Sequence, residues 1–476
     1  MPIRLYNSLT QAVEVLRPLR PGRVQMYTCG PTVHDRAHIG NFRSYLAEDL
    51  LRRHLEAHHL KVEQVMNITD VDDKIIAKAT GRHESLDQFT APFIEAFFRD
   101  LDLLGIQRAE HFPRATEYLG PMLALVERLV ASGHAYQSEG SVYFRVDSFP
   151  EYGKLSRLDV GGLSAGASGR IDSDEYEAKE AVRDFALWKA AAGGDLAAWP
   201  SPFGRGRPGW HLECSAMAME LLGESLDIHC GGVDNKFPHH ENEIAQSESA
   251  TGRPFVRLWF HVEHLLVEGG KMAKSQGNFL TLASLVERGH SPLAVRYHLL
   301  GNTHYRQKLH FREQDLVGAS ESLDRLATFW RRCAAAHGGE LKTAGSGDPL
   351  TVAAQRARDL FEAAMDDDLN LPLALGRLHD LVREGNRLLD EGRAGGDGCG
   401  SALAALRAAD SRLAVIERAA VSEDPQLSSD ERKMLDRRED ARRKGNFVKA
   451  DRIRDQLLEL GIVVEDTKEG SRWHRL

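Results

Sequence analysis

The sequence predicts an α/β protein in which a parallel sheet is interrupted by an insertion and followed by helices. Residues 23–30, RVQMYTCG, form a strand pattern that runs into a turn, and a helical pattern and a second strand follow within about 45 residues. Strand, helix and strand in this order predict a βαβ unit with a right-handed crossover. Ligands bind at the carboxyl ends of such strands, where Cys29 and Thr69 are expected.

The remaining residues divide by pattern. A helical stretch, a short strand pattern and a Gly/Ser-rich turn region interrupt the sheet pattern, which then returns. Almost continuous helix follows, and a basic helical face lies near the end. The predicted domains are a parallel-sheet domain (1–91 and 206–310), an inserted subdomain (92–205), a helical bundle (311–420) and a small C-terminal domain (425–476).

Composition excludes several classes of protein. The 476 residues include 42% hydrophobic and 28% charged residues, which is typical of a soluble globular chain. We find no apolar run of 18 residues and no secretory signal, so we expect no membrane association. Five scattered cysteines favour a reducing compartment, and we expect a cytoplasmic protein. A net charge of −9 argues against a uniformly basic nucleic-acid coat but allows a local basic patch.

The loop after the first strand has the features of a phosphate site. His38-Ile39-Gly40-Asn41 stands where the first helix should begin, so that unpaired backbone N–H groups and the positive end of the helix dipole face a ligand. Gly40 permits close approach of the backbone, and the imidazole of His38 can donate to a phosphate oxygen. Taken alone, this tetrapeptide is more typical of a helix cap or a surface turn.

A second loop, GGKMAKSQGN, brings two lysines into a glycine-flanked segment. Lys271 and Lys274 could neutralise a triphosphate whose charge grows in a transition state. Taken alone, this loop is more typical of a solvated surface turn. Only the two loops together, in this order, change the interpretation.

The pair of loops resembles the class I aminoacyl-tRNA synthetases, which carry His-Ile-Gly-His after the first strand and Lys-Met-Ser-Lys-Ser after the last. Two positions depart from that pattern: Asn41 replaces the second histidine, and Ala273 replaces the first serine. The resemblance implies a Rossmann-like catalytic domain. It also implies attack of an amino-acid carboxylate on the α-phosphorus of ATP, with Mg²⁺ entering with ATP.

Positioning and charge stabilisation would carry this reaction, and no covalent nucleophile is needed. The resemblance places catalysis on His38, Lys271 and Lys274, with Gly40 and Asn41 beside them in the ATP site. Asn41 keeps a side chain that forms hydrogen bonds, but its contact is unassigned.

Cys29 could be a nucleophile, a metal ligand or a small buried apolar residue. With Cys214 in HLECSAM and with His239 and Glu243, which are four residues apart in FPHHENEIAQSE, it forms a plausible Zn²⁺ set. The spacing is long-range and matches no local zinc-finger pattern. Two buried cysteines and a solvated helix face therefore remain the alternative on the residues alone.

Further motifs narrow the resemblance to the cysteinyl-tRNA synthetases. The matching stretches span the catalytic domain and part of the insertion: CGPTVHDRAHIGN, NITDVDDKI, DFALWK, RPGWHLECSAM, DIHCGGVDNKFPHHENEIAQSE and GGKMAKSQGNF. The resemblance implies one Zn²⁺ per chain, held by Cys29, Cys214, His239 and Glu243, with the substrate thiolate bound to the metal. Zinc prefers a thiolate to an alcohol, so serine would be rejected at the first step.

The same motifs imply further contacts to the substrate. Trp210 would form a wall beside the small side chain, although core packing is the alternative. The resemblance also implies contacts to the substrate amine and carboxylate, and one through backbone. The residues implied in these contacts are Gly30, Thr69, His229 and Asp234.

The C-terminal segment resembles the anticodon-binding part of the same family. Arginine can meet phosphate, an exposed aromatic ring can stack on a base, and carboxylates can accept from base amino groups. The alternative is a solvated charged helix, because acidic residues interleave with the basic ones. The residues implied in tRNA contact are Arg442, Phe447, Asp451 and Asp466.

We therefore expect an ATP-dependent cysteine–tRNA ligase whose partners are ATP, L-cysteine and tRNA(Cys), acting as a monomer. One alternative is a ligase that forms the same adenylate and passes cysteine to a small amine, but residues 425–476 favour tRNA. A paralogue with a dead site would lack one of the signature residues, and all are present. A zinc hydrolase would need a His-Glu-x-x-His helix, which the sequence lacks.

Overall fold

The computed structural model describes residues 2–157, 181, 183–191, 196–267, 270–272, 278–338, 347–421, 429–460, 462–467 and 470–475. The chain divides into two compact units, Met1–Glu417 and Arg418–Leu476. No helix in these ranges is both long enough and apolar enough to cross a membrane.

The described ranges contain short strands and longer helices. The strands are β1 Arg4–Asn7, β2 Ala12–Val15, β3 Arg23–Thr28, β4 Lys61–Met66, β5 Ala135–Ser138, β6 Ser141–Phe144, β7 Phe185–Ala190, β8 Gly206–Pro208, β9 Leu226–Gly232, β10 Val256–Val262, β11 Leu265–Val267, β12 Gly270–Lys271, β13 Leu309–Phe311, β14 Ile462–Thr467 and β15 Gly470–Arg475. The helices are α1 Ile39–Ala57, α2 Asp73–Arg82, α3 Leu86–Leu104, α4 Leu119–Ala131, α5 Trp210–Leu222, α6 Glu241–Thr251, α7 Leu282–Glu287, α8 Pro292–Gly301, α9 Asp315–Gly338, α10 Pro349–Asp366, α11 Leu371–Asp390, α12 Gly396–Leu413, α13 Ile416–Val421, α14 Ser429–Arg443 and α15 Phe447–Glu459.

A four-stranded parallel sheet in the order β10-β9-β3-β4 confirms the predicted fold class. The β3–α1–β4 unit lies on one side of β3, and β9 and β10 lie on the other. Strand order therefore reverses between β3 and β9, which pair with Thr28 opposite Cys230. Ligands bind at this kind of switch point, outside the carboxyl ends of the strands.

Helix α1 begins at Ile39, earlier than the apolar pattern from Phe42 suggests, because His38 caps it. Its apolar side is buried in the core, where Phe42, Leu46 and Leu51 are fully enclosed. Because α1 follows β3 in the chain, its first turn lies near the carboxyl end of that strand, where Cys29 and His38 line one cavity.

The inserted region forms a second sheet, antiparallel, in the order β5-β6-β7-β8. Its largest buried side chain, Trp188, shares a hydrophobic core with Leu212 of α5 and Ile244 of α6. This packing holds α5 and α6 together beside the parallel sheet. Helices α9 to α12 form the predicted helical region.

The second unit has its own small core. Leu435 of α14, Ile453 and Leu457 of α15, and Ile462 and Val464 of β14 pack against one another. Strands β14 and β15 pair as an antiparallel hairpin with Val464 opposite Trp473.

Candidate active site

Four side chains from three separate parts of the chain meet at the switch point. A ligand atom from each of Cys29, Cys214, His239 and Glu243 lies within 4.8 Å of the others. Cys29 is partly exposed, and the other three are buried. These are the residues that the resemblance implies as metal ligands.

The fold explains how residues so distant in sequence converge. Cys29 directly follows β3, and Cys214 lies in the second turn of α5. Helix α5 begins after Gly209, where a β-carbon would lie 2.1 Å from the carbonyl oxygen of Ala186. Only glycine lets the start of α5 lie this close to β7, so Gly209 helps to position Cys214.

His239 presents one ring nitrogen to this group. Its Nδ1 lies 2.9 Å from His211 Nδ1, and its Nε2 lies 3.2 Å from Glu243 Oε1. Contact of one nitrogen with a neighbour commonly orients the other toward a metal. The indole ring of Trp210 packs on the His239 imidazole, with ring centroids 4.6 Å apart.

One carboxylate oxygen of Glu243 accepts no hydrogen bond within the described residues. Its Oε2 lies 2.9 Å from His229 Nε2, whereas its Oε1 is buried without a hydrogen bond from any described residue. A buried carboxylate oxygen without such a bond is costly. A cation held among the four side chains would satisfy it, so the donor set fits a metal.

The two thiols are in direct contact, and their proton affinities differ. The hydrogen bond with Cys29 lowers the pKa of Cys214, and the nearby His239 lowers it further. Burial, followed by the same hydrogen bond, raises the pKa of Cys29. Cys214 is therefore the thiol that ionises first, as a zinc ligand must.

His240 is a site residue that the sequence analysis missed. Its Nε2 lies 3.3 Å from Cys29 Sγ, and its Nδ1 lies 2.8 Å from His261 Nε2. Together with Cys29, His229 and Glu243 it forms a second group whose ligand atoms fall within 4.8 Å. Burial lowers the pKa of His240, so the ring is neutral. The doublet His239-His240 in the sequence was the available signal.

A cavity of about 630 Å³ extends from Cys29 to the start of α1. This volume lies in the range of small-molecule sites. The cavity is lined by both thiols of the cluster and by most residues implied in substrate or ATP contact: Cys29, Gly30, His38, Gly40, Asn41, Thr69, Trp210, Cys214, Asp234 and His239.

At the ATP end, His38 and Asn41 cap α1 reciprocally. The Asn41 N–H donates to His38 Nδ1 at 3.1 Å, and the His38 N–H donates to Asn41 Oδ1 at 3.0 Å. Burial lowers the pKa of His38, and a neutral imidazole that accepts at Nδ1 carries its proton on Nε2. His38 can therefore donate one hydrogen bond into the cavity.

The implied cysteine-binding residues have different surroundings. The Thr69 hydroxyl donates to Glu213 Oε2 at 3.2 Å, and the Gly30 N–H donates to Asn67 Oδ1 at 2.9 Å. A β-carbon at Gly30 would lie 1.7 Å from the Asn67 carbonyl oxygen, so no other residue fits there. His229 is fully buried and pairs with Glu243 instead of lining the cavity. Glu213, which was not predicted, is a buried acid whose pKa burial raises.

The lysine loop and the C-terminal residues are described less completely. The backbone of Lys271 belongs to β12, and Lys274 lies outside the described residues. In the second unit, Arg442 lies on α14, Phe447 begins α15 and is 61% exposed, and Asp451 pairs with Arg454 at 3.3 Å. The backbone of Asp466 belongs to β14.

Three family models match successive parts of the chain. Residues 15–321 match the model for the class I (C) tRNA synthetase catalytic domain. Residues 360–415 match the DALR domain, and residues 424–473 match the anticodon-binding domain of cysteinyl-tRNA ligases.

Full-length relatives agree with these matches. The chain is 46% identical over 478 residues to a cysteine–tRNA ligase of Solibacter usitatus, with 100% of each chain covered. It is 44% identical over 476 residues to one from Protochlamydia amoebophila, with 99% of this chain and 98% of the relative covered.

Solved structures share the fold at low identity. A methionyl-tRNA synthetase of Mycobacterium tuberculosis in complex with methionyl-adenylate superposes with a TM-score of 0.63 at 16% identity, covering 84% of this chain and 92% of that one. A leucyl enzyme of Agrobacterium radiobacter, from a ternary complex, gives 0.62 at 11% identity, covering 88% of each chain.

Proposed function

Because the chain belongs to the cysteine–tRNA ligase family, we propose that Cys29, Cys214, His239 and Glu243 hold one zinc ion that selects the substrate. The chain is an ATP-dependent ligase that joins cysteine to tRNA(Cys).

The observation that carries the proposal is the convergence of the four donors at one end of the cavity. Two thiols, an imidazole and a carboxylate suit zinc, and Glu243 Oε1 has no hydrogen bond from a described residue. Bound there, the zinc ion would supply a preference for a thiolate over the hydroxyl of serine.

Residues around this group would hold the rest of the amino acid. Trp210, Thr69 and Asp234 line the same cavity as Cys214 and His38. We assign Trp210 to the wall beside the side chain, and Asp234 and Thr69 to the substrate amine and carboxylate. We assign Gly30 to a backbone contact. His229 would act through Glu243, whose Oε2 it holds at 2.9 Å.

The other end of the cavity would hold ATP. His38 would donate from Nε2 to a phosphate oxygen, and Gly40 would let the nucleotide approach the first turn of α1. Lys271 and Lys274 would neutralise charge as pyrophosphate leaves. Mg²⁺ would enter with the triphosphate, whose oxygens it prefers as ligands.

The second unit would read the tRNA. Phe447 is 61% exposed at the start of α15, where its ring can stack on an unpaired base. Arg442 would meet phosphate, and Asp451 and Asp466 would accept from base amino groups. We expect the chain to act as a monomer in the cytoplasm, where its five free cysteines stay reduced.

Charging assays with purified tRNA species test the function. We expect cysteine to be attached to tRNA(Cys) alone, in a reaction that needs ATP. Transfer of cysteine to a small amine, with no charging of tRNA, would instead support the alternative ligase. The match of residues 424–473 to an anticodon-binding domain favours the tRNA reaction.

A further inference from the structure

A second group of metal-binding side chains lies at the opposite end of α1. His54 is in the last turn of the helix, His58 follows its end, and Asp366 is the last residue of α10. One ligand atom from each lies within 4.8 Å of the others. Along the axis of α1, His54 is about 22 Å from the helix start at Ile39, so this group is separate from the cavity.

The two imidazoles share one carboxylate oxygen. His54 Nε2 lies 3.1 Å from Asp366 Oδ1, and His58 Nε2 lies 2.8 Å from the same atom. Nitrogen and oxygen ligands lie about 2.0–2.2 Å from a zinc ion, which puts neighbouring ligands roughly 3.3 Å apart. The two nitrogen-to-oxygen separations are within about half an ångström of this value, and all three ligand atoms lie within 4.8 Å of one another.

Hydrogen bonding explains only one of these two contacts. His54 forms a hydrogen bond with Asp366. His58 Nε2, although closer, is a buried atom that makes no hydrogen bond with any described residue. A nitrogen this close to a carboxylate oxygen, without hydrogen-bond geometry, fits two ligands that face a shared cation.

We propose that His54, His58 and Asp366 form a binding site for a divalent transition-metal ion of the zinc type. Two imidazoles and one carboxylate are ligands that such ions accept, and a water molecule would complete the shell. The side chain of His58 is 27% exposed and opens the site to solvent, whereas those of His54 and Asp366 are enclosed. The ion would fasten the end of α1 to the end of α10.

This site is independent of the zinc proposed at Cys214, and metal counting separates the two. Full-length protein is stripped with a chelator and dialysed against zinc, and bound zinc per chain is measured. We expect two ions in the wild type, one in His58→Gln and one in Cys214→Ser. His59→Gln is the matched control, since it removes the next imidazole, which is exposed, and should retain two ions.

Cobalt gives a second readout. Thiolate-to-cobalt charge-transfer absorption requires a cysteine ligand. His58→Gln should therefore keep this band while losing one bound cobalt ion, and added zinc should raise its unfolding temperature less than that of the wild type. If His58→Gln does not fold, as judged by its metal-free unfolding transition, Asp366→Asn replaces it with the same expectation.

The proposal would be overturned if the wild type binds one zinc ion per chain and Cys214→Ser binds none. Two ions bound with wild-type affinity in His58→Gln would overturn it as well. If Cys214→Ser loses one ion and His58→Gln loses none, the proposed function stands and only the second site is rejected.

Discussion

The Asn41 side-chain oxygen accepts the backbone N–H of His38 at 3.0 Å, and the His38 ring accepts the backbone N–H of Asn41 at 3.1 Å. Each side chain thus accepts a backbone N–H at the start of α1, and the Asn41 N–H also donates to the His38 carbonyl oxygen at 2.9 Å. The same pair of bonds fixes the orientation of the His38 ring, which lines the cavity. Asn41 stands where the family pattern has its second histidine, and it therefore helps to orient His38, which is the first.

Replacing Asn41 tests this role. Asn41→Ala should remove half of the cap, cost about 1 kcal/mol of stability, and slow ATP–pyrophosphate exchange by roughly tenfold, because His38 loses its fixed orientation. Asn41→Gln, which can still accept from the His38 N–H, should retain most of the rate. Equal rates in the wild type and Asn41→Ala would show that the cap does not orient His38.

Cys214→Ser should release zinc and weaken cysteine binding. An alcohol is a poor zinc ligand at neutral pH, whereas a thiolate is a strong one. Zinc analysis and the KM for cysteine measure the two effects, and we expect the KM to rise by about tenfold or more. Cys230→Ala is the matched control, because Cys230 is a fully buried neighbour outside the cluster. Unchanged zinc in Cys214→Ser would remove Cys214 from the ligand set.

His240 distinguishes the two overlapping groups that contain Cys29 and Glu243. If the two thiols hold the metal, His240→Asn should keep its zinc, since His240 then only contacts Cys29 Sγ from outside. His239→Asn should lose it. Zinc analysis of the two variants distinguishes the two groups. Loss of zinc in His240→Asn but not in His239→Asn would assign the metal to the group that contains His229 and His240.

Glu48 should make stability depend on pH. Burial raises its pKa to about 8, and neither carboxylate oxygen has a hydrogen bond from a described residue. Between the unfolded pKa near 4.5 and the folded value, the folded state binds one more proton, so stability falls as pH rises through this range. Near pH 7, removing the ionisable carboxyl of Glu48 should therefore raise the free energy of unfolding by a few kcal/mol.

Denaturant unfolding at several pH values tests the role of Glu48. Glu48→Gln should match the wild type near pH 5 and exceed it increasingly toward pH 8. Glu95→Gln, which changes an exposed residue on α3, should follow the wild-type profile. Parallel profiles for the wild type and Glu48→Gln would mean that Glu48 is already ionised in the folded protein.

The sequence predicts the fold and the identity of the signature residues well, because both depend on local patterns. Strand, loop, helix and strand determine where Cys29 and His38 lie. Spacing alone could not bring Cys29 to Cys214, since these two meet only when α5 packs beside the sheet. The resemblance supplied that link, and the structure places the two thiols in contact.

Other features depend on tertiary contacts that leave little trace in a single sequence. The contact of His240 with Cys29 needs the loop before α6 to turn back toward β3. The pairing of His58 with Asp366 joins residues about 300 positions apart, so neither residue signals the other. The cap at the start of α1 is local, yet the side chain that accepts the Asn41 N–H is a histidine, which is uncommon as a helix cap.

The most direct test of the central claim is the ratio of kcat/KM for cysteine to that for serine in ATP–pyrophosphate exchange by the zinc-loaded protein. If the cluster at Cys29 and Cys214 selects a thiolate, the ratio should be on the order of 10⁴ or more, since a site of shape alone separates such similar substrates poorly. Comparable exchange with serine would contradict the account.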